Sequence, residues 1–136
     1  MTKIKKAALT FVMGILVCFS IFCASGCALF DTSVEGTYYF YKFTYEEAGV
    51  TGEVRRGDKF GYAILEKEFC MITLNEDGTG SFGEMGESVS VVWTKENDVI
   101  TLTDPYGYVR QVHWEPGKIT YTDSLDGFSM HMTLKK

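Results

Sequence analysis

SVSVVWTKENDVITLTDPYGYVRQVHWEPGKITYT, residues 88–122, is a run of short alternating segments cut by turn residues. Val89, Val91 and Trp93 fall on one face of residues 88–94, and Glu96-Asn97-Asp98 turns the chain into residues 99–103. A period of two marks a strand with one face toward a core. Asp104-Pro105-Tyr106-Gly107 places Asp first, Pro second and Gly fourth, the order of a type I turn. Glu115-Pro116-Gly117-Lys118 places Pro and then Gly where a type II turn needs them. Residues 108–114 and 118–122 are therefore two further strands. Ile100-Thr101-Leu102-Thr103-Asp104 and Ile119-Thr120-Tyr121-Thr122-Asp123 repeat one pattern, each following a strand that ends at a Trp. A period of two strands suits an up-and-down meander better than a solenoid.

The same punctuation extends outward. Residues 128–134 follow a turn at Asp126-Gly127. Upstream, residues 69–74 run into Asn75-Glu76-Asp77-Gly78-Thr79-Gly80 and then Ser81-Phe82, a hairpin, and residues 36–46 are rich in Tyr and Phe, which favour strands. Residues 57–68 fit a helical stripe through Phe60, Ile64 and Lys67 as well as a strand through Phe60, Tyr62 and Ile64. They are expected to form a short helix or an irregular flap between the first two strands. Seven or eight sequential antiparallel strands must close or pack to remove their open edges, so the expected fold is all-β, a meander closing into a small barrel, with a two-sheet sandwich as the alternative.

The N-terminus has a different character. Lys3, Lys5 and Lys6 precede an uncharged apolar run over residues 7–22, and Ala24-Ser25-Gly26-Cys27 closes it. A basic segment, an apolar segment and small residues ending in cysteine are the features of a bacterial lipoprotein signal peptide. Residues 1–26 are thus expected to be removed, Cys27 to carry acyl chains such as palmitate, and residues 27–35 to form a tether reaching roughly 30 Å when extended. An uncleaved span is the alternative, but the apolar run is at the short edge for a bilayer about 30 Å thick and leaves the cysteine ending unexplained. More than one chain on Cys27 gives durable attachment. The expected location is the cell membrane, lipid-anchored, on its extracytoplasmic face.

Beyond Cys27 the chain has ten basic and eighteen acidic residues, a charge of about −8. That excess argues against nucleic acid as a partner. Of four cysteines only Cys70 stays in the folded part, so no internal disulfide can form there. Alternation puts Cys70 beside Ile72 and Leu74, a packing position, with no cationic neighbour to activate the thiol.

The layout from Gly36 to Lys136 resembles the small lipocalin-like domains of lipoproteins from Gram-positive bacteria. The resemblance is carried by Gly36-Thr37-Tyr38, by Leu74-Asn75-Glu76-Asp77-Gly78-Thr79-Gly80, by Trp93, and by the closing Met130-His131-Met132-Thr133-Leu134-Lys135-Lys136. It implies a barrel or cup that holds an apolar ligand, and it implies no catalytic residues.

Alternation places Tyr38, Phe40, Ile72, Leu74, Phe82, Val91, Trp93, Ile100, Leu102, Tyr108, Val112, Trp114, Ile119, Tyr121, Phe128, Met130 and Met132 inward. The candidate ligand-binding residues among them are Tyr38, Phe40, Trp93, Tyr108, Trp114 and Tyr121, which either stack on a flat or greasy ligand or fill the core. Arg110 shares the face of Tyr108, Val112 and Trp114. It reads either as an anchor for a ligand carboxylate or as a lid stacked on a ring and paired with an acid. Tyr39, Tyr41, Phe43 and Tyr45 read as a second stripe on the opposite face of the first strand, covered by residues 57–68 or left as a partner surface. His113 and His131 alternate onto solvent faces, with no nucleophile to pair with. Asp77-Gly78 lacks the spaced carboxylates of a calcium loop, and one cysteine with two separated histidines makes no zinc set. No cofactor or metal is implied. The expected function is that of a membrane-anchored binder of a small apolar or amphipathic ligand, with an interaction module docking on an envelope protein as the rival and an enzyme a distant third.

Overall fold

The structure, a computed structural model, describes residues 32–136. The expected signal peptide, Cys27 and residues 28–31 of the expected tether lie outside the described residues. Eleven strands follow one another: β1 (Gly36–Glu47), β2 (Val50–Arg55), β3 (Lys59–Phe60), β4 (Ala63–Ile64), β5 (Cys70–Leu74), β6 (Thr79–Glu84), β7 (Glu87–Glu96), β8 (Val99–Thr103), β9 (Val109–Glu115), β10 (Lys118–Leu125) and β11 (Phe128–Lys135). From β5 to β11 each strand pairs antiparallel with the next, and β1 pairs with both β5 and β11, closing a ring of eight. The molecule is an all-β, lipocalin-like barrel rather than a sandwich. Closure leaves no open edge along the ring where ladders are complete.

Antiparallel order sends alternate turns to opposite ends. The base carries the incoming chain at Ser33–Glu35 and the turns at 75–78, 97–98 and 116–117. The mouth carries those at 48–49, 85–86, 104–108 and 126–127. Both turns expected within residues 104–118 form: Gly107 N–H donates to Asp104 O, and Gly117 supplies the positive φ, +74°, that a type II turn requires. The core is Tyr38, Phe40, Ile72, Ile100, Ile119 and Leu134, each without exposed surface, with their neighbours on the inward face of every strand. An eight-stranded ring is just wide enough to be filled this way.

β1 departs from simple alternation. Its register against β11 slips between Phe40↔Leu134 and Lys42↔Thr133, a β-bulge at Tyr41. The extra residue reverses the faces, so Phe43 is buried and Tyr45 packs on the core, instead of joining Tyr39 and Tyr41 outside. The second aromatic stripe on β1 therefore does not exist. Tyr39 and Tyr41 stay on the outer face, where Lys67 and Lys135 lie over their rings. The bulge sits where β1 changes partner, from β5 along residues 36–39 to β2 along residues 42–47.

β2 is a strand that the sequence did not reveal. It folds back on β1 through a two-residue turn at Ala48-Gly49, both at positive φ. Residues 57–68 form no α-helix. β3 and β4 make a two-residue ladder, and Lys67–Phe69 is one 3₁₀ turn. This connector packs inward: Leu65 is buried, Phe60 meets the Phe43 ring edge-on at 5.3 Å, and Phe69 meets Phe40 at 5.1 Å. Phe69 O also accepts from Met85 N–H, tying the connector to the β6–β7 turn.

Candidate functional site

The base is sealed by side chains. Tyr38 Oη donates to Val34 O at 2.7 Å and accepts from Trp114 Nε1–H at 2.9 Å. Trp93 Nε1–H is shared between Asn75 O and Thr79 O, which holds the β5–β6 turn against the barrel. Lys136 Nζ reaches back to Ser33 O, so the two ends of the described chain meet at this closed end.

Toward the mouth the interior turns polar. Tyr121, 4% exposed, donates its only hydroxyl proton to Glu84 Oε1 at 2.6 Å. The Cys70 Sγ–Tyr121 Oη contact at 3.2 Å is then donated by the thiol. Burial pushes the Cys70 thiol up to about 12, and burial likewise raises the Tyr121 hydroxyl, so both are neutral at physiological pH. The Arg110 guanidinium packs over two rings that meet each other edge-on, 4.9 Å from the centre of Phe82 and 4.8 Å from that of Tyr121, and its Nη1–H donates to Asp123 Oδ1 at 2.7 Å. Partial burial opposes the Arg110 charge, but the Asp123 hydrogen bond and charge outweigh it and raise the pKa. The pair is about a third exposed, which makes its net contribution to stability small, ~0–1 kcal/mol.

Above this pair a cleft of about 510 Å³ opens at the mouth. Phe82, Val89, Val91 and Leu102 supply its apolar wall, and Arg110, Asp104 and Asp123 its charged groups. The volume lies within the ~300–1,000 Å³ range of small-molecule sites. The Asp104 carboxylate is committed to its own turn, accepting from the N–H groups of Tyr106 and Tyr108 at 2.9 Å each.

The candidate ligand-binding residues divide between the two ends. Tyr108 and Arg110 line the cleft, and Tyr121 lies beneath Arg110. Tyr38, Phe40, Trp93 and Trp114 do not line it; the first two are fully buried and the two tryptophans belong to the base. Tyr108 is not inward. It closes the Asp104 turn before β9 begins, its carbonyl accepting from Asp104 N–H, and its ring is 77% exposed on the rim. Strand alternation does not extend into a turn residue. Arg110 adopts the stacked and paired arrangement. His113 and His131 are exposed, His113 near Asp98 and His131 beside Thr122. Among the described residues no group of His, Cys, Asp and Glu is arranged to hold a metal ion, and no helix is long and apolar enough to cross a membrane.

Asp123 is the functional candidate that residue-by-residue reading missed. The signal was present, because counting outward from the Pro116-Gly117 turn sets Glu115 against Lys118 and hence Arg110 against Asp123. The internal repeat points to the same place: its two copies end at Asp104 and Asp123, and both line the cleft. Compared with protein-family models, with curated proteins and with solved structures, the chain matches none.

Proposed function

We propose that the chain is an extracytoplasmic lipoprotein, lipidated at Cys27 and held at the membrane, whose barrel binds a small apolar or amphipathic molecule at its mouth. The observation that carries this reading is the cleft itself: an apolar wall of Phe82, Val89, Val91 and Leu102 beside a guanidinium that uses one of its five N–H donors. An apolar wall with few fixed polar groups is the usual make-up of a ligand site. Membrane attachment rests on the residues around Cys27. Residues 33–35 enter the barrel at the base, the end opposite the cleft.

The barrel is closed on itself within residues 33–136, so it can be tested as that fragment. Exposed to an envelope lipid extract and compared by native and denaturing mass spectrometry, it is expected to gain a discrete mass that denaturation removes. No added mass from any extract sinks the ligand reading. For the anchor, cells fed an alkyne palmitate analogue are expected to label the full chain but not its Cys27→Ala variant.

One observation favours docking on an envelope protein as the second reading. The β3–β4 hairpin presents Phe60, Tyr62 and Ile64 to solvent at the mouth end, Tyr62 fully. If that reading holds, Tyr62→Ser abolishes cross-linking to a partner and leaves ligand binding unchanged.

A further inference from the structure

The wall of the barrel is incomplete between β9 and β10. Their ladder runs through Glu115↔Lys118, Ile119↔Trp114 and Thr120↔His113 and then stops, although β9 continues back to Val109 and β10 on to Leu125. β10 stays paired with β11 along its whole length, and β9 with β8 from Val109 to His113. The two strands therefore part only from each other. Had the ladder continued, Arg110 would oppose Asp123, and these are the residues whose side chains meet. A charged side-chain pair spans the opening where main-chain hydrogen bonds would otherwise lie.

Alternation in an antiparallel ladder fixes which main-chain groups border the gap. Trp114 N–H donates toward β8, to Asp98 O, so Gln111 and Val109 turn their N–H and C=O toward β10. On the facing strand Thr122 and Ser124 turn theirs toward β9. The cleft opens onto this seam and is lined from both sides of it, by Val109, Arg110 and Gln111 and by Thr122 and Asp123. A group seated there meets strand edges offering both donors and acceptors.

The charge of the lining narrows what that group is. Arg110 is the one basic residue lining the cleft, against Asp104 and Asp123, so the site is net negative. The guanidinium packs against the Phe82 and Tyr121 rings and is held by Asp123 through Nη1, which leaves N–H donors without a surplus positive charge. A free carboxylate placed here meets Asp123 at close range, and displacing Asp123 strands that carboxylate instead. An uncharged head that donates and accepts, as an amide does, pairs with strand edges and with Arg110 without that cost.

We infer that the β9–β10 seam is the head-group site of the cleft and that its ligand is an N-acyl amide or similar amide-bearing amphiphile rather than a free fatty acid, an inference that rests on the ligand-binding reading above. The test uses residues 33–136 and three probes with one twelve-carbon chain: dodecanoyl-glycinamide, dodecanoate and dodecyltrimethylammonium, titrated by calorimetry below their micelle concentrations. The amide is expected to bind about tenfold tighter than the carboxylate. Asp123→Asn, which changes charge but not volume, is expected to raise carboxylate affinity several-fold and shrink that gap, with an unaltered circular dichroism spectrum. A disulfide between Gln111→Cys and Thr122→Cys, formed across the seam, is expected to abolish amide binding until reduced. Carboxylate binding as tightly as amide in the wild type, or amide binding undisturbed by the closed disulfide, overturns the seam inference while leaving a ligand-binding mouth. Absence of binding by all three probes overturns both readings.

Discussion

Cys70 and Tyr121 show how a single buried contact ties position to chemistry. The thiol is buried, donates to Tyr121 Oη, and has its pKa pushed by burial from the usual value near 9 to about 12. It is the thiol, not the reactive thiolate, at neutral pH. Native protein at pH 8 is expected to leave a thiol reagent such as 5,5′-dithiobis(2-nitrobenzoate) unreacted, and to titrate one Cys70 equivalent once unfolded. Reaction of the folded protein at the rate of a free thiol contradicts the burial. A pH effect follows from the same shift. In the unfolded chain the thiol ionises near 9, whereas in the fold it stays protonated until about 12. Its contribution to stability is therefore fully present below pH 9 and is lost as pH rises toward 12, with Tyr121 shifted in the same direction. Each such group changes stability by ~1.4 kcal/mol per pH unit across its window. Chemical denaturation at pH 8, 10 and 11 checks it: the wild type loses stability with a steeper slope than Cys70→Ala.

At the scale of the element, two positions on the strands that flank β5 carry opposite lessons about space. Gly80 in β6 lies so close to β5 that a Cβ there would run into the carbonyl oxygen of Thr73, a backbone atom that cannot swing aside. Gly80→Ala is expected to destabilise by ~1–3 kcal/mol, the usual cost of overpacking, measured by urea denaturation. An effect near zero means that β5 and β6 can move apart. The bulge in β1 is permissive instead. Removing Tyr41 leaves Tyr38, Phe40, Phe43 and Tyr45 on one face in plain alternation, and its main costs are the acceptor for Arg56 N–H and the ring under Lys135. The Tyr41 deletion is expected to fold, with a circular dichroism spectrum of the same barrel and a midpoint lowered by several degrees, as ~1 kcal/mol lowers a domain of this size. Collapse of the fold on deletion shows that the bulge is required for closure. These cases also show what was legible in advance. The turns around Pro105, Pro116 and Gly127 are written in residue types with fixed backbone demands, so the four strands they join, β8 to β11, could be read. The bulge at Tyr41 has no such residue, because it arises where β1 must serve β5, β2 and β11 at once. β2 was hidden differently: Val50, Gly52 and Val54 alternate with Thr51, Glu53 and Arg55, but the middle position of the inner face is a glycine, a weak strand signal, needed because the Tyr45 ring lies over it.

Across the whole molecule the two ends are built for different tasks. The base has its polar groups consumed internally, Trp114 on Tyr38, Tyr38 on Val34 and Trp93 on the β5–β6 turn. The mouth has an incomplete wall, an exposed apolar rim including Met85, Tyr108 and Val109, and a charged pair where a ladder stops. Inward-pointing residues were largely readable from alternation, but which end each belongs to depends on strand direction around the closed ring. That is why Tyr38, Trp93 and Trp114 were grouped with Arg110 although they lie at the other end. The separation predicts uncoupled phenotypes. Trp114→Phe keeps a ring at the base but deletes the Nε1–H donated to Tyr38, and is expected to cost ~1 kcal/mol, a fall of about 4–8 °C in midpoint, with amphiphile affinity unchanged. Asp123→Asn breaks only a partly exposed pair, so its stability is expected to stay within ~1 kcal/mol of wild type while affinity changes. Trp114 faces Ile119, four residues along β10 from Asp123 or ~13 Å at strand rise, so the two variants together are expected to show additive changes in stability. Thermal melts and calorimetric titrations on the single and double variants test this. A change in affinity for Trp114→Phe means that ligand reaches the base and that the occupied space runs through the core rather than stopping at Arg110.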